Sequence, residues 1–480
     1  MRISRVQYAE AQVSQQRLPL PTAGDIVVIG LGRSGVAASE LLLARGYTVY
    51  ACDDAASPAL AAVAARLTAR GASVQTGGHD SGRIARAALV IVSPGVPPNA
   101  PALAAAHGAT HGATHGAARE IVSEIELALR CAPDLHYVAV TGTNGKTTTT
   151  ALIGHLLRAL GADAPDAGNI GTPLSEVVNR PVLPDWVALE LSSFQLHDTP
   201  SIAPTVGVLT NLSADHLDRY SSVEEYFADK ALLFNNATDR SRWVLNADDA
   251  ASLEIASGIA GDHLHFSLVQ KADGWYDRTA NALIVFGDPM LPRADLQLLG
   301  DHNVANALAA SVAVMGADSH FREQAARGRI ANALRTFRAM PNRLEIVGEW
   351  NGIEWINDSK ATNVASTLVA VQGMTRHTVL LLGGRHKGEP YTALAGPIRE
   401  HVKHVIAFGE AAPTIEHDLG AVAPLTRIDG PFQEVMAAAR AHADSGDAVL
   451  LSPACSSYDM FNNYIERGER FRALAADHDG

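Results

Sequence analysis

Short runs rich in Val, Ile and Leu alternate with longer amphipathic Ala/Leu segments along nearly the whole chain of 480 residues. Runs such as DIVVIG (25–30), YVAVTG (137–142) and TVLLLGG (378–384) show no polar alternation, so both faces of each strand need covering. Parallel sheets with helices on both sides meet that need, and the pattern predicts an α/β fold. DIVVIG, TVYACD (48–53) and ALVIVSPG (88–95) make an amino-terminal Rossmann-like unit. YVAVTG, WVALELSS (186–193), VGVLTN (206–211) and WVLNADD (243–249) make a central, larger parallel sheet. LEIVGEW (344–350), IEWIND, TVLLLGG, HVIAFGE and AVLLSPA (448–454) make a third, again Rossmann-like, unit. At roughly 100–200 residues per domain the length suits three domains. Their expected limits are 1–123, 124–339 and 340–480, with Pro341–Asn342 as a hinge.

Charge and cysteine content remove several function classes. The formal charge of −13 disfavours general affinity for nucleic acid or anionic membrane, while leaving room for a local basic pocket. Cys52, Cys131 and Cys455 are far apart, which supports neither a disulfide framework nor a zinc site and fits a reducing cytoplasm. The polar first segment has no apolar signal core, and no stretch reaches the ~20 apolar residues of a membrane span. A soluble, cytoplasmic protein without membrane insertion is expected.

The strongest local signal is VAVTGTNGKTTTTALIGHLLRAL (138–160), an apolar strand, a Gly-rich turn and an amphipathic helix. Backbone N–H groups and the helix N-terminus converge there on one anion site, so the central unit reads as P-loop ATPase-like. Lys146 would reach the outer phosphates and Thr147 would offer its hydroxyl to Mg²⁺. The match to GxxxxGK is incomplete, because the first glycine would fall on Val140. A second loop, GLGRSG (30–35), also joins a strand to a helix, and Asp53 ends the next strand at the distance expected of a ribose-binding acid. Taken alone this loop suits NAD, another nucleotide diphosphate or a purely structural turn.

Glu190 ends one central strand and Asp215–His216 follow another, at the edge where open α/β sheets bind ligands. Mg²⁺ needs only one or two carboxylates besides phosphate oxygens, and His216 is a less usual ligand than a carboxylate. By ordinary rules Lys230 is a solvated helix lysine. The repeat AHGATHGATHGAA spaces His107, His111 and His115 four apart, but the glycine in each copy favours a loop over a metal-binding helix.

Taken in order, TGTNGKTT, GNIGTP (168–173), ELSSFQL (190–196), NLSADHLDRY (211–220), YFADK, GDHNVANALAA, PNRLE, INDSKATN and SPACSSYDMF resemble the Mur ligases of peptidoglycan synthesis. The resemblance spans nearly everything after about Asp25. It implies an ATP-dependent amide ligase that joins D-glutamate to UDP-N-acetylmuramoyl-L-alanine, with ATP and two Mg²⁺ ions, and a monomer is expected. Gly142, Thr143, Asn144, Gly145, Lys146, Thr147 and Thr148 would then cradle ATP, with Asn303 at the adenine and Arg343 and Asp358 on the nucleotide. Gly32, Arg33, Ser34, Asp53, Asp54, Ser93, Gly95 and Asn169 would hold the UDP substrate rather than NAD. Lys230 would be carbamylated and bind Mg²⁺ beside His216, while Glu190 and Thr147 serve the other ion; Lys146, Glu190, His216 and Lys230 form the catalytic set. Thr362, Lys387, Ser457 and Tyr464 would receive glutamate.

The chain departs from the family pattern at Asp54, where many relatives have a small hydroxyl residue, at Tyr464, often Phe, and in the His-Gly repeat. The chemistry such an enzyme must solve is that a carboxylate does not acylate an amine at neutral pH. ATP converts it to an acyl phosphate, which the glutamate amine attacks. Rival readings are a Mur-type enzyme adding L-glutamate, a folylpolyglutamate synthase-like ligase, an NAD-dependent oxidoreductase and a nonenzymatic nucleotide-controlled binding protein. GLGRSG argues against the folate reading, GTNGKTT against the oxidoreductase, and Glu190 with Lys230 against the binding protein.

Overall fold

The computed structural model describes residues 19–97, 99–107, 119–215 and 220–477, which build three sheets. The first contains β1 (Ile26–Ile29), β2 (Val49–Asp53), β3 (Ser73–Thr76), β4 (Leu89–Val92) and β5 (Ile121–Ser123) in the order β3-β2-β1-β4-β5. All its pairings are parallel. β1 and β4 are buried along their whole length, as apolar runs without alternation require.

The second sheet contains β6 (Tyr137–Thr141), β7 (Asp166–Gly168), β8 (Val187–Glu190), β9 (Val206–Leu209), β10 (Arg242–Asn246), β11 (Asp262–Ser267), β12 (Gly274–Asp277), β13 (Ala282–Val285) and β14 (Asp288–Pro292). Its order is β14-β13-β12-β11-β10-β9-β6-β8-β7, parallel from β7 to β12 and turning antiparallel between β12 and β13. The order in which strands are added reverses at β1 and at β6, with later strands on both sides of each, so the loops after these two strands stand at the switch points where open α/β sheets take ligands.

The third sheet contains β15 (Glu345–Trp350), β16 (Ile353–Asn357), β17 (Thr378–Gly383), β18 (Val402–Phe408), β19 (Leu425–Ile428) and β20 (Ala448–Leu451). β20 returns between β16 and β17, and only the β15–β16 pair is antiparallel.

Contacts group the chain into two compact bodies, 1–290 with 306–334, and 291–305 with 335–480. In the first body one apolar core passes from Ile26 and Leu41 through Ile125 and Leu129 to Leu174, Leu196 and Trp243, uniting the first two sheets. Of the tandem repeat, His107 is the exposed C-cap of helix Pro101–Ala106, and His111 and His115 lie outside the described residues. Among the described residues no helix is long and apolar enough to cross a membrane.

Candidate active site

After β6 the backbone passes through Gly142 at φ +142° and Gly145 at φ +80°, then enters the helix Lys146–Ala159. Both angles lie where side chains are strained, and space forbids them too. A Cβ on Gly142 would overlap Thr210 Oγ1, and one on Gly145 would overlap Asn306 Oδ1. The first N–H groups of a helix stand outside its internal ladder and attract anions, so this turn has the form of an anion site.

The Lys146 ammonium folds back onto its own loop, donating to the carbonyls of Gly142 at 2.9 Å and Thr143 at 2.7 Å. Lys230 donates to the same Gly142 oxygen at 2.7 Å. Lys230 is not the solvated lysine that its helix, Val223–Ala231, suggests, for it is 1 % exposed and its ammonium lies 4.6 Å from the Tyr226 ring centroid. Burial, helped by the neighbouring Lys146 charge, holds its pKa well below the usual lysine value against the pull of Asp215, Glu190 and Asp229.

Glu190, at the end of β8, is 1 % exposed. One carboxylate oxygen accepts from Asn169 Nδ2 at 2.7 Å, and Oε2 is buried without a hydrogen-bond partner. An orphaned carboxylate oxygen costs stability unless something binds it. With the buried hydroxyl-bearing Thr147 it offers the hard oxygen donors Mg²⁺ prefers. Lys230 as a free amine does not fit a cation, and only a carbamate on it would. His216 lies outside the described residues, and among those described no three His, Cys, Asp or Glu side chains form a metal site.

In the first sheet Gly32 caps helix Arg33–Ala44, with Arg33 exposed and Ser34 half-buried. Asp53 accepts the N–H groups of Leu31 at 2.8 Å and Ala55 at 2.9 Å, which ties the loop after β1 to the end of β2. Ser93 donates to the Gly30 carbonyl at 2.9 Å, so its hydroxyl braces the same loop, and Gly95 follows two residues later. Asp54 is half-exposed and pairs with His79 Nδ1 at 2.8 Å.

In the second body Thr362, Lys387 and Ser457 lie on the loops after β16, β17 and β20, and Tyr464 opens the helix Tyr464–Ala476. Lys387 is exposed and Ser457 buried. Asp358 accepts from Ser452 Oγ at 2.8 Å and from the Leu344 N–H, and burial pushes its carboxyl up to about 7. Arg343 lies between Asn342 and Leu344, both at positive φ, and Asn303 Nδ2 donates to the Leu299 carbonyl at 2.8 Å.

Residues 24–113, 140–314 and 342–455 match, respectively, the MurD-like amino-terminal domain, the Mur ligase middle domain and the Mur ligase glutamate ligase domain. The UDP-N-acetylmuramoylalanine–D-glutamate ligase of Geotalea uraniireducens is 39 % identical over 95 % of this chain and 97 % of its own length. The chain belongs to the Mur ligase family. The enzyme of that name from Pelobacter propionicus is 38 % identical over 93 % of this Mur ligase and 97 % of its own length. Two solved structures share the fold. One is a pseudomurein peptide ligase type C from Methanothermus fervidus, with TM-score 0.58 and 19 % identity over 94 % of this chain and 100 % of that one. The other is MurF from Acinetobacter baumannii, with TM-score 0.58 and 16 % identity over 93 % and 92 % of the two chains.

Sequence reasoning missed one prominent residue of this Mur ligase. Arg467 looks like a surface arginine in YIERGERF, yet it is fully buried. Its guanidinium donates to Ser359 Oγ at 3.0 Å and to the carbonyls of Ser359 (2.9 Å), Cys455 (3.1 Å), Gly383 (3.4 Å) and Ser456 (3.4 Å). It thereby ties together the three loops bearing Thr362, Lys387 and Ser457. Burial lowers its pKa only to about 10, so it stays a cation. The available signal was its place three residues after Tyr464, one helical turn from the predicted pocket.

Proposed function

We propose that this Mur ligase joins D-glutamate to UDP-N-acetylmuramoyl-L-alanine at the expense of ATP, in the making of peptidoglycan precursors. The observation that carries the proposal is its similarity along nearly its full length to ligases of that name. The limits 1–123, 124–339 and 340–480 go with this reading as UDP-substrate, ATP and amino-acid domains.

In this reading residues 142–148 cradle the phosphates and Lys146 exchanges its loop carbonyls for phosphate oxygens. Asn303, Arg343 and Asp358 contact the nucleotide. Gly32, Arg33 and Ser34 face the substrate diphosphate; Asp53 and Ser93 hold that loop in shape, while Asp54, Gly95 and Asn169 complete the contacts. Glu190 and Thr147 hold one Mg²⁺, and Lys230 with His216 the other. Magnesium supplies neutralisation of the charge developing on the transferred phosphoryl group. Lys230 becomes a ligand when its neutral amine adds to CO₂ and releases a proton, turning a donor that repels cations into a carboxylate. The low pKa that burial imposes is what keeps that amine nucleophilic. Thr362 and Lys387 take one glutamate carboxylate and Ser457 the other, beside Tyr464, and the amine attacks the acyl phosphate.

The test is nucleotide turnover by the purified protein. ADP and phosphate should form only when UDP-N-acetylmuramoyl-L-alanine and D-glutamate are both present. Turnover with NAD and a reductant, but none with ATP, would reverse the assignment.

A further inference from the structure

The nucleotide loop owes its shape to a partner that none of the roles above includes. Between the two left-handed glycines stand only Thr143 and Asn144, so the path of the loop depends on what holds these two peptides. The side-chain amide of Asn211, just past β9, meets Asn144 twice. Its Oδ1 accepts the Asn144 N–H at 3.0 Å and its Nδ2 donates to the Asn144 carbonyl at 3.0 Å. One carboxamide thus pairs with both polar groups of a single residue, as a neighbouring strand would. The flanking bonds continue the pairing, since the Thr143 N–H donates to the Asn211 carbonyl at 2.8 Å and the Ser213 N–H to Thr143 Oγ1 at 3.0 Å. Thr210 Oγ1 adds a bond to the Asn144 carbonyl at 2.6 Å.

We propose that Asn211 is a positioning residue for the nucleotide, whose amide clamps the Asn144 peptide and so fixes the phosphate-binding turn before ATP arrives; this rests on the ligase reading above. A turn bound by two glycines loses much freedom on ordering, and a prepaid conformation spares the ligand that cost. With its N–H and carbonyl both held by Asn211, the Asn144 peptide is fixed along the loop, which sets the direction of the helix N–H groups that follow. A carboxamide carries the donor and the acceptor that this pairing needs on two adjacent atoms. Aspartate keeps the acceptor but sets an oxygen against the Asn144 carbonyl, and alanine removes both bonds.

Asn211→Ala and Asn211→Asp should each weaken ADP binding to the resting enzyme, measured by calorimetry with Mg²⁺, by at least about tenfold. KM for ATP should rise in parallel, with KM for D-glutamate and for the UDP substrate moving less than about twofold. Asn236→Ala is the matched control, because Asn236 Nδ2 bonds the carbonyls of Pro200 at 2.7 Å and Ile202 at 2.9 Å in the same body. It should lower thermal stability without changing ADP affinity. Unchanged ADP affinity in the folded Asn211→Asp protein, or three KM values rising alike, overturns the proposal. Failure of the unmodified protein to bind ADP would instead remove the ligase reading, and this proposal with it.

Discussion

Lys230 and Lys146 donate to one and the same oxygen, the Gly142 carbonyl, at 2.7 and 2.9 Å. Two ammonium groups so close repel each other, and the buried one is the cheaper to neutralise. The Gly142–Gly145 turn and the helix carrying Lys230 are therefore electrostatically linked. Lys230→Ala should lose at least about a hundredfold in kcat. A short carboxylate added to the assay should restore part of it, and stripping CO₂ from the unmodified enzyme should lower its activity reversibly. Full activity in the mutant without addition would remove Lys230 from the chemistry.

Gly145→Ala meets two obstacles at once, a φ of +80° and the Asn306 amide oxygen in the place of its Cβ. The expected result is a loss of about 1–3 kcal/mol in stability together with weakened ATP binding. Thermal unfolding and KM for ATP check this. A variant with unchanged KM for ATP would show that the turn does not read the nucleotide.

Arg467→Lys keeps the charge but not the fork. Three ammonium protons on one nitrogen cannot span Ser359, Gly383, Cys455 and Ser456, so the three loops should loosen relative to one another. KM for D-glutamate should rise at least about tenfold, with a much smaller change for the UDP substrate. Equal changes for all substrates would assign Arg467 to general stability.

Lys387 is exposed, and its charge is predicted to face only the amino acid. Lys387→Ala should raise KM for glutamate far more than KM for ATP. Product formation with each enantiomer is the companion measurement, and preference for L-glutamate would sink the D-specific assignment while leaving the ligase chemistry intact.

Glu124 gives a pH dependence of stability. It is 2 % exposed, accepts the Ser175 N–H at 2.5 Å, leaves Oε2 without a partner, and burial pushes its pKa from 4.5 up to about 7. Between those values the folded chain holds a proton that the unfolded chain has released, so stability falls as pH rises through this window and stays low above it. Glu124→Gln keeps the acceptor and cannot ionise. Its melting temperature should gain on that of the unmodified protein between pH 5 and pH 8, by the equivalent of up to about 3 kcal/mol. A difference constant with pH would refute this.

Strands such as β1, β4 and β17 were readable because covered parallel strands leave unbroken apolar runs. β3 (SVQT), β5 (IVS) and β7 (DAG) were not, being short or partly exposed and dependent on neighbours for their pairing. The hairpin region β12–β14 was also hidden, since GWYD and DPMLP carry little apolar signal. At the candidate site, GTNGKTT made the strand–turn–helix legible because the glycines that its backbone needs are local in sequence. The burial of Lys230 is set by a carbonyl 88 residues away, and that of Arg467 by Ser359, 108 residues away. Neither residue type nor spacing encodes such distant partners. The same holds for Asn211, whose amide partner lies 67 positions earlier.

Ser123 is both the last residue of β5 and the N-cap of helix Glu124–Cys131, with no linker between them. Its N–H donates to the Asp198 carbonyl at 2.7 Å and its hydroxyl bonds Thr199 at 2.7 Å, while the buried Glu126 takes Ser201 Oγ at 2.6 Å and Arg130 at 2.7 Å. A joint of this kind transmits torque instead of absorbing it. The first two sheets should therefore melt in one cooperative step, and a chain severed between Ser123 and Glu124 should yield two pieces that each present to water a surface evolved to be dry.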